Sequence, residues 1–143
     1  LLHDVGKIGI DDRILRKPGA LTEEEFEVMK THPQKGEAIM GGVPQLINMI
    51  PGMLYHHERW EGGGYPEGLS GEQIPMQARI VTVADTFDAM TTNRPYQKAM
   101  DIGYVVEKIT SFANTRFDPR VVDAFMQAIK TGEIQPEQSR GAA

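Results

Sequence analysis

The chain has 143 residues, 40% of them apolar and 24% charged, which suits one globular domain with a compact core. Its formal charge of −5 argues against a nucleic-acid polymer as partner, since such binders are normally basic, but local cations or metals can still receive a small phosphate ligand. The absence of cysteine excludes disulfides and thiolate metal sites and fits a cytoplasmic setting; no apolar run nears the roughly 20 residues that span a bilayer, so no membrane contact is expected.

In chain order the pattern is helical almost throughout. Residues 1–7 read as the end of a helix that stops near Gly9, and Asp11 to Arg16 as a short helical turn before Lys17-Pro18-Gly19. Thr22-Glu23-Glu24-Glu25 is a capping box, in which Thr22 and Glu25 satisfy each other's backbone, and Phe26 and Met29 open an apolar face behind it. Pro33 starts a helix that ends at Gly41-Gly42, and Pro44 starts another that Pro51 should kink or interrupt before it reaches His56-His57. From Trp60 to Pro75 glycines make a loop, long enough to suggest function.

Helix resumes from Met76 to Thr91 with Ile80, Val83, Ala84 and Phe87 on one face. Ile102, Val105, Val106, Ile109 and Phe112 follow helical spacing, and Asp118-Pro119 caps a last stripe of Val122, Phe125, Met126 and Ile129. No alternating strand pattern, repeat or linker is visible. The expected fold is all-α, one helical bundle over residues 1–132 with a polar tail from 133 to 143.

Only four histidines occur, at 3, 32, 56 and 57. His3 adjoins Asp4, His56 and His57 are consecutive and precede Glu58, and Asp85 and Asp88 lie a turn apart. Consecutive helical residues diverge by about 100°, so such a pair serves two metals, or one metal and a supporting partner. Imidazole and carboxylate without thiolate suit iron, manganese, zinc or magnesium. Two such ions some 3.5–4 Å apart are a standard device for phosphoester hydrolysis. Glu58 is a candidate for orienting His57 or a neighbouring ligand, and Trp60 reads as a packing anchor.

These residues sit in recognisable signatures. His3-Asp4-Val5-Gly6-Lys7 resembles the HD signature of the HD phosphohydrolase superfamily. The run from His56 to Pro66, HHERWEGGGYP, resembles the HHExxDGxGYP signature of its HD-GYP branch. Lys17-Pro18-Gly19, Thr31-His32-Pro33, Ala84-Asp85 and Asn93-Arg94-Pro95-Tyr96 fall in the same order, and the likeness runs to about residue 127. It implies an HD-type helical bundle that hydrolyses cyclic di-GMP, first to the linear dinucleotide pGpG and in some members on to GMP, with two or three divalent metals, most often iron or manganese. It also implies metal ligands at His3, Asp4, His32, His56, His57 and Asp85, with Asp4 and Lys7 in catalytic roles. Lys7, Tyr65, Arg94 and Lys98 would face substrate, and the loop that holds Tyr65 would in some members dock GGDEF-type cyclases.

Two departures stand out. Glu61 occupies the position of an aspartate, and Gly63 adds a third consecutive glycine. The chain also opens directly on the His-Asp pair, where the superfamily supplies a histidine from a preceding helix. The expectation is therefore a domain lacking its N-terminal helix or helices, inclined to form a homo-oligomer through the exposed face. The contrasting reading is a catalytically weak signalling module that acts on GGDEF partners.

Overall fold

The computed structural model describes residues 2–93 and 98–135. They divide into two compact units, the first running to Val81 and the second beginning at Thr82. Among the described residues every regular element is helical, and the one β-bridge, between Ala113 and Phe117, is isolated.

The first unit opens with a 3-10 helix, Leu2–Gly9, where the sequence pattern suggested the end of an α-helix. Helix α1 (Asp12–Leu15) is a single turn capped by Asp11. Helix α2 (Glu23–Met29) begins with the expected capping box: Thr22 accepts from the Glu25 amide, and the Glu25 carboxylate accepts from the Thr22 amide. Helix α3 (His32–Met40) follows at once, with Pro33 in its first turn. The stretch that Pro44 opens is a 3-10 helix to Met49, and α4 (Ile50–Leu54) starts just before Pro51, so the helix is interrupted there, as expected, rather than kinked.

The 3-10 helix at the N-terminus packs closely on α3, and two glycines explain how. A Cβ on Gly6 would lie 1.8 Å from the His32 carbonyl oxygen and 2.5 Å from the Gly36 amide nitrogen. A Cβ on Gly36 would in turn lie 2.7 Å from the Met53 sulfur. The backbones meet with no side chain between them, as only glycine allows. Met40, Met53, Leu54, Ile74 and Ala78 are buried apolar side chains of α3, α4 and the chain that follows.

Helix α5 (Met76–Thr91) crosses the boundary between the units. Of its expected apolar face, Val83 and Phe87 are buried, whereas Ile80 is 51% exposed and Ala84 is exposed. In the second unit Val83 and Phe87 join α6 (Ile102–Ser111) and α7 (Pro119–Lys130) in one core with Val105, Ile109, Phe117, Val122 and Phe125. Phe87 and Phe125 meet edge to face at 5.2 Å. Asp101 and Asp118 cap α6 and α7 through the amides of Tyr104 and Arg120.

Candidate metal centre

Three segments of the first unit converge on one point. The N-terminal 3-10 helix brings His3 and Asp4, the start of α3 brings His32, and the chain leaving α4 brings His56 and His57. Asp4, His32, His56 and His57 each offer a ligand atom, and these atoms lie within 4.8 Å of one another. The contact at Gly6 makes this possible, because it sets Asp4 beside His32 at 3.5 Å. His3 stands at the edge of the group, its Nε2 3.6 Å from the Asp4 carboxylate and its ring 5.1 Å from that of His56.

Backbone carbonyls orient two of the rings. His32 Nδ1 lies 2.8 Å from the Met29 oxygen and His56 Nδ1 2.5 Å from the Met53 oxygen, each three residues back in the chain. A donating Nδ1–H in each pair leaves Nε2 as the basic atom, the arrangement that supports metal-ligating histidines. Both rings are 1% exposed. Burial pushes the His56 imidazole down to about 4 and lowers His32 as well, so both are neutral at pH 7. His32 Nε2 is buried without a hydrogen-bond partner among the described residues and sits 3.5 Å from Asp4 Oδ1. A buried acceptor of this kind is costly unless something occupies it, and a divalent cation fits a neutral imidazole nitrogen beside a carboxylate.

Asp4 is drawn two ways. Burial raises its pKa, but the hydrogen bond from Lys7 and the nearby His3 and His32 outweigh that, and the carboxyl sits below its ordinary value. Lys7 Nζ donates to Asp4 Oδ2 at 2.6 Å. The cation expected to face a phosphate thus stands at the edge of the donor cluster.

The glycine-rich loop lies against His57. The Tyr65 ring stacks on the His57 ring at 4.6 Å and 26°, and Phe26 of α2 meets Tyr65 edge on at 6.3 Å. Glu58 does not orient an imidazole. One of its oxygens, Oε1, accepts from the amides of Glu67 and Gly68 at 2.7 and 3.0 Å. Sequence reasoning missed this, since its acceptor role depends on amides nine and ten residues on. Glu61 pairs with Arg59, and the Arg79 guanidinium lies 5.4 Å over the Trp60 ring while donating to the Ile74 and Glu72 carbonyls.

The remaining expected site residues do not belong to the first unit as described. Asp85 is half-buried on α5 in the second unit, and Lys98 is exposed in that unit. Arg94 lies outside the described residues.

Residues 1–121 match the family model described as HD domain. The chain is 45% identical over 142 residues to the cyclic di-GMP phosphodiesterase response regulator RpfG of Xanthomonas campestris, covering 98% of the chain and 36% of that protein. It is 47% identical over 131 residues to a cyclic di-GMP phosphodiesterase of Thermotoga maritima, covering 90% of the chain and 36% of that protein. The chain thus spans about a third of the length of these relatives. Among solved structures, a cyclic GMP-AMP specific phosphodiesterase of V. cholerae aligns with a TM-score of 0.66 over 90% of this chain and 36% of that one, at 20% identity, which supports the fold.

Proposed function

This chain belongs to the HD domain family, and from that premise we propose that it is a metal-dependent phosphodiesterase domain hydrolysing cyclic di-GMP to linear pGpG. The observation that carries the proposal is the group Asp4, His32, His56 and His57, with its ligand atoms within 4.8 Å. Two of its imidazoles are held neutral by burial, the state in which they coordinate. The names of relatives at 45–47% identity support the substrate.

Asp4, His32, His56 and His57 would hold the metal, with His3 adjacent; Asp85 joins the proposed ligand set on sequence resemblance alone. Bound divalent ions, iron or manganese in this reading, supply Lewis acidity and an activated water at neutral pH. The protein's own groups do the rest. The Met29 and Met53 carbonyls fix the His32 and His56 rings so that Nε2 is the coordinating atom. Lys7, at the edge of the cluster, offsets negative charge as it builds on the phosphate. Tyr65, held on the His57 ring, gives the substrate a flat wall beside the reacting centre. Arg94 and Lys98 are proposed to meet substrate phosphate, and the loop around Tyr65 to be a docking point for GGDEF-domain proteins.

The test is anaerobic purification, metal analysis, and turnover of cyclic di-GMP with added iron(II) or manganese(II), with cyclic GMP-AMP as a competing substrate. The expected result is pGpG release that Asp4→Ala abolishes. Turnover of cyclic GMP-AMP alone would replace the substrate. A metal-loaded protein that leaves both dinucleotides intact would remove the reading.

A further inference from the structure

Glu58 is 2% exposed, yet its neighbours in the sequence are a half-buried histidine and an exposed arginine. Its Oε1 takes two backbone amides, from Glu67 and Gly68. Its Oε2 is buried with no hydrogen-bond partner among the described residues. A buried carboxylate that leaves one oxygen unsatisfied is an expensive way to close a loop. The same loop is pinned a second time, at Gly64. A Cβ there would lie 2.5 Å from Glu58 Cα, 2.5 Å from the His57 oxygen and 2.7 Å from the Arg59 nitrogen. Between the two pins sits Tyr65, whose amide points to the His57 oxygen at 3.4 Å and whose ring stacks on the His57 imidazole.

We propose that Glu58 is a positioning residue that acts as a hydrogen-bond acceptor, clamping residues 64–68 onto the His57 backbone and so holding Tyr65 on the His57 ring. The clamp stands on the structure alone; its effect on turnover rests on the phosphodiesterase reading above. Both amides go to a single oxygen, so the clamp as proposed needs one acceptor atom rather than two. A glutamine can present the same acceptor with its carbonyl oxygen, at the cost of an amide group where Oε2 now lies.

The experiment compares wild type, Glu58→Gln, Glu58→Ala and Gly64→Ala in this chain. Three readouts are taken: amide hydrogen exchange at residues 67 and 68 by NMR, bound manganese, and KM and kcat for cyclic di-GMP. In Glu58→Ala the two amides should exchange at least about tenfold faster. KM should rise about tenfold, while kcat and bound manganese stay within about twofold. Glu58→Gln should stay within about threefold of wild type in all three. Gly64→Ala should raise KM as Glu58→Ala does, because it lifts the same loop from the other pin; if Glu58→Ala fails to fold, Gly64→Ala and Glu58→Gln decide the matter.

Two outcomes overturn the proposal. One is amides that stay protected in Glu58→Ala. The other is a Glu58→Gln protein that keeps its amides protected but loses kcat or manganese, which makes the charge the active feature. If wild type leaves cyclic di-GMP intact, hydrogen exchange still decides the clamp, and only the phosphodiesterase reading falls.

Discussion

Gly6 and His32 are in backbone contact: a Cβ on Gly6 would lie 1.8 Å from the His32 carbonyl oxygen, inside any permitted distance. The contact joins the segment that carries Asp4 to the helix that carries His32, so it sets the geometry of the donor cluster. Gly6→Ala should force these segments apart. The expected cost is at least about 3 kcal/mol of stability, as for other severe core substitutions, together with loss of tight metal binding. Urea denaturation and metal analysis of the variant check both. A variant that melts like wild type would mean that the contact is easily relaxed.

Asp4 is the carboxylate of the cluster, and Lys7 and His32 both lie within 3.5 Å of its oxygens. Asp4→Ala removes a donor and leaves the Lys7 ammonium without its partner. Metal affinity should fall by at least about a hundredfold, the upper range for loss of a mere supporting group. Titration with manganese by calorimetry measures it. Unchanged affinity would move the metal away from this group of residues.

Much of the architecture was legible in local signals. The capping box at Thr22 and Glu25, the aspartate caps at 101 and 118, and the Val122, Phe125, Met126 and Ile129 stripe are all properties of a few adjacent residues, and they formed as read. The cluster at Asp4, His32, His56 and His57 was legible because the signatures mark residues rather than shapes. What escaped was non-local. Ile80 fits an apolar helical stripe, yet it is 51% exposed, because periodicity does not say which face a helix turns to its neighbours. Glu58 sits beside a histidine in sequence and suggested a role there, but its bonds go to the amides of Glu67 and Gly68 across a loop whose path no short pattern encodes.

Lys7 donates to Asp4 at 2.6 Å and is the described cation nearest the cluster's carboxylate. Lys7→Met should leave bound metal close to wild type at neutral pH and lower kcat by about a hundredfold, the scale for losing one charge-stabilising group. Loss of Lys7 also removes the hydrogen bond that opposes the effect of burial on Asp4. The Asp4 carboxyl should then titrate at higher pH, and metal loading should fail sooner on acidification. A pH series of metal content and kcat for both proteins tests the two effects together. An unchanged kcat would leave Lys7 with a purely structural pairing.

The buried histidines set the pH response of the metal-free protein. Burial lowers His56 to about 4 and lowers His32, whereas both titrate near 6.5 when the chain is unfolded. A histidine depressed in the fold contributes stability that is complete above the unfolded value and is lost as pH falls toward the folded one. The metal-free chain should therefore hold its stability above about pH 7 and lose it from about 6.5 down toward 4. His56 alone accounts for on the order of 3 kcal/mol across that window. Urea melts of chelator-treated protein at about pH 7.5 and about pH 5 measure the drop, and His56→Gln should flatten it, since glutamine does not titrate. Bound metal competes with protons for the same nitrogens, so the loaded protein should resist acid further before it releases its ions. Stability that stays level or rises on acidification in the metal-free chain would mean that these imidazoles are far better solvated than their burial implies.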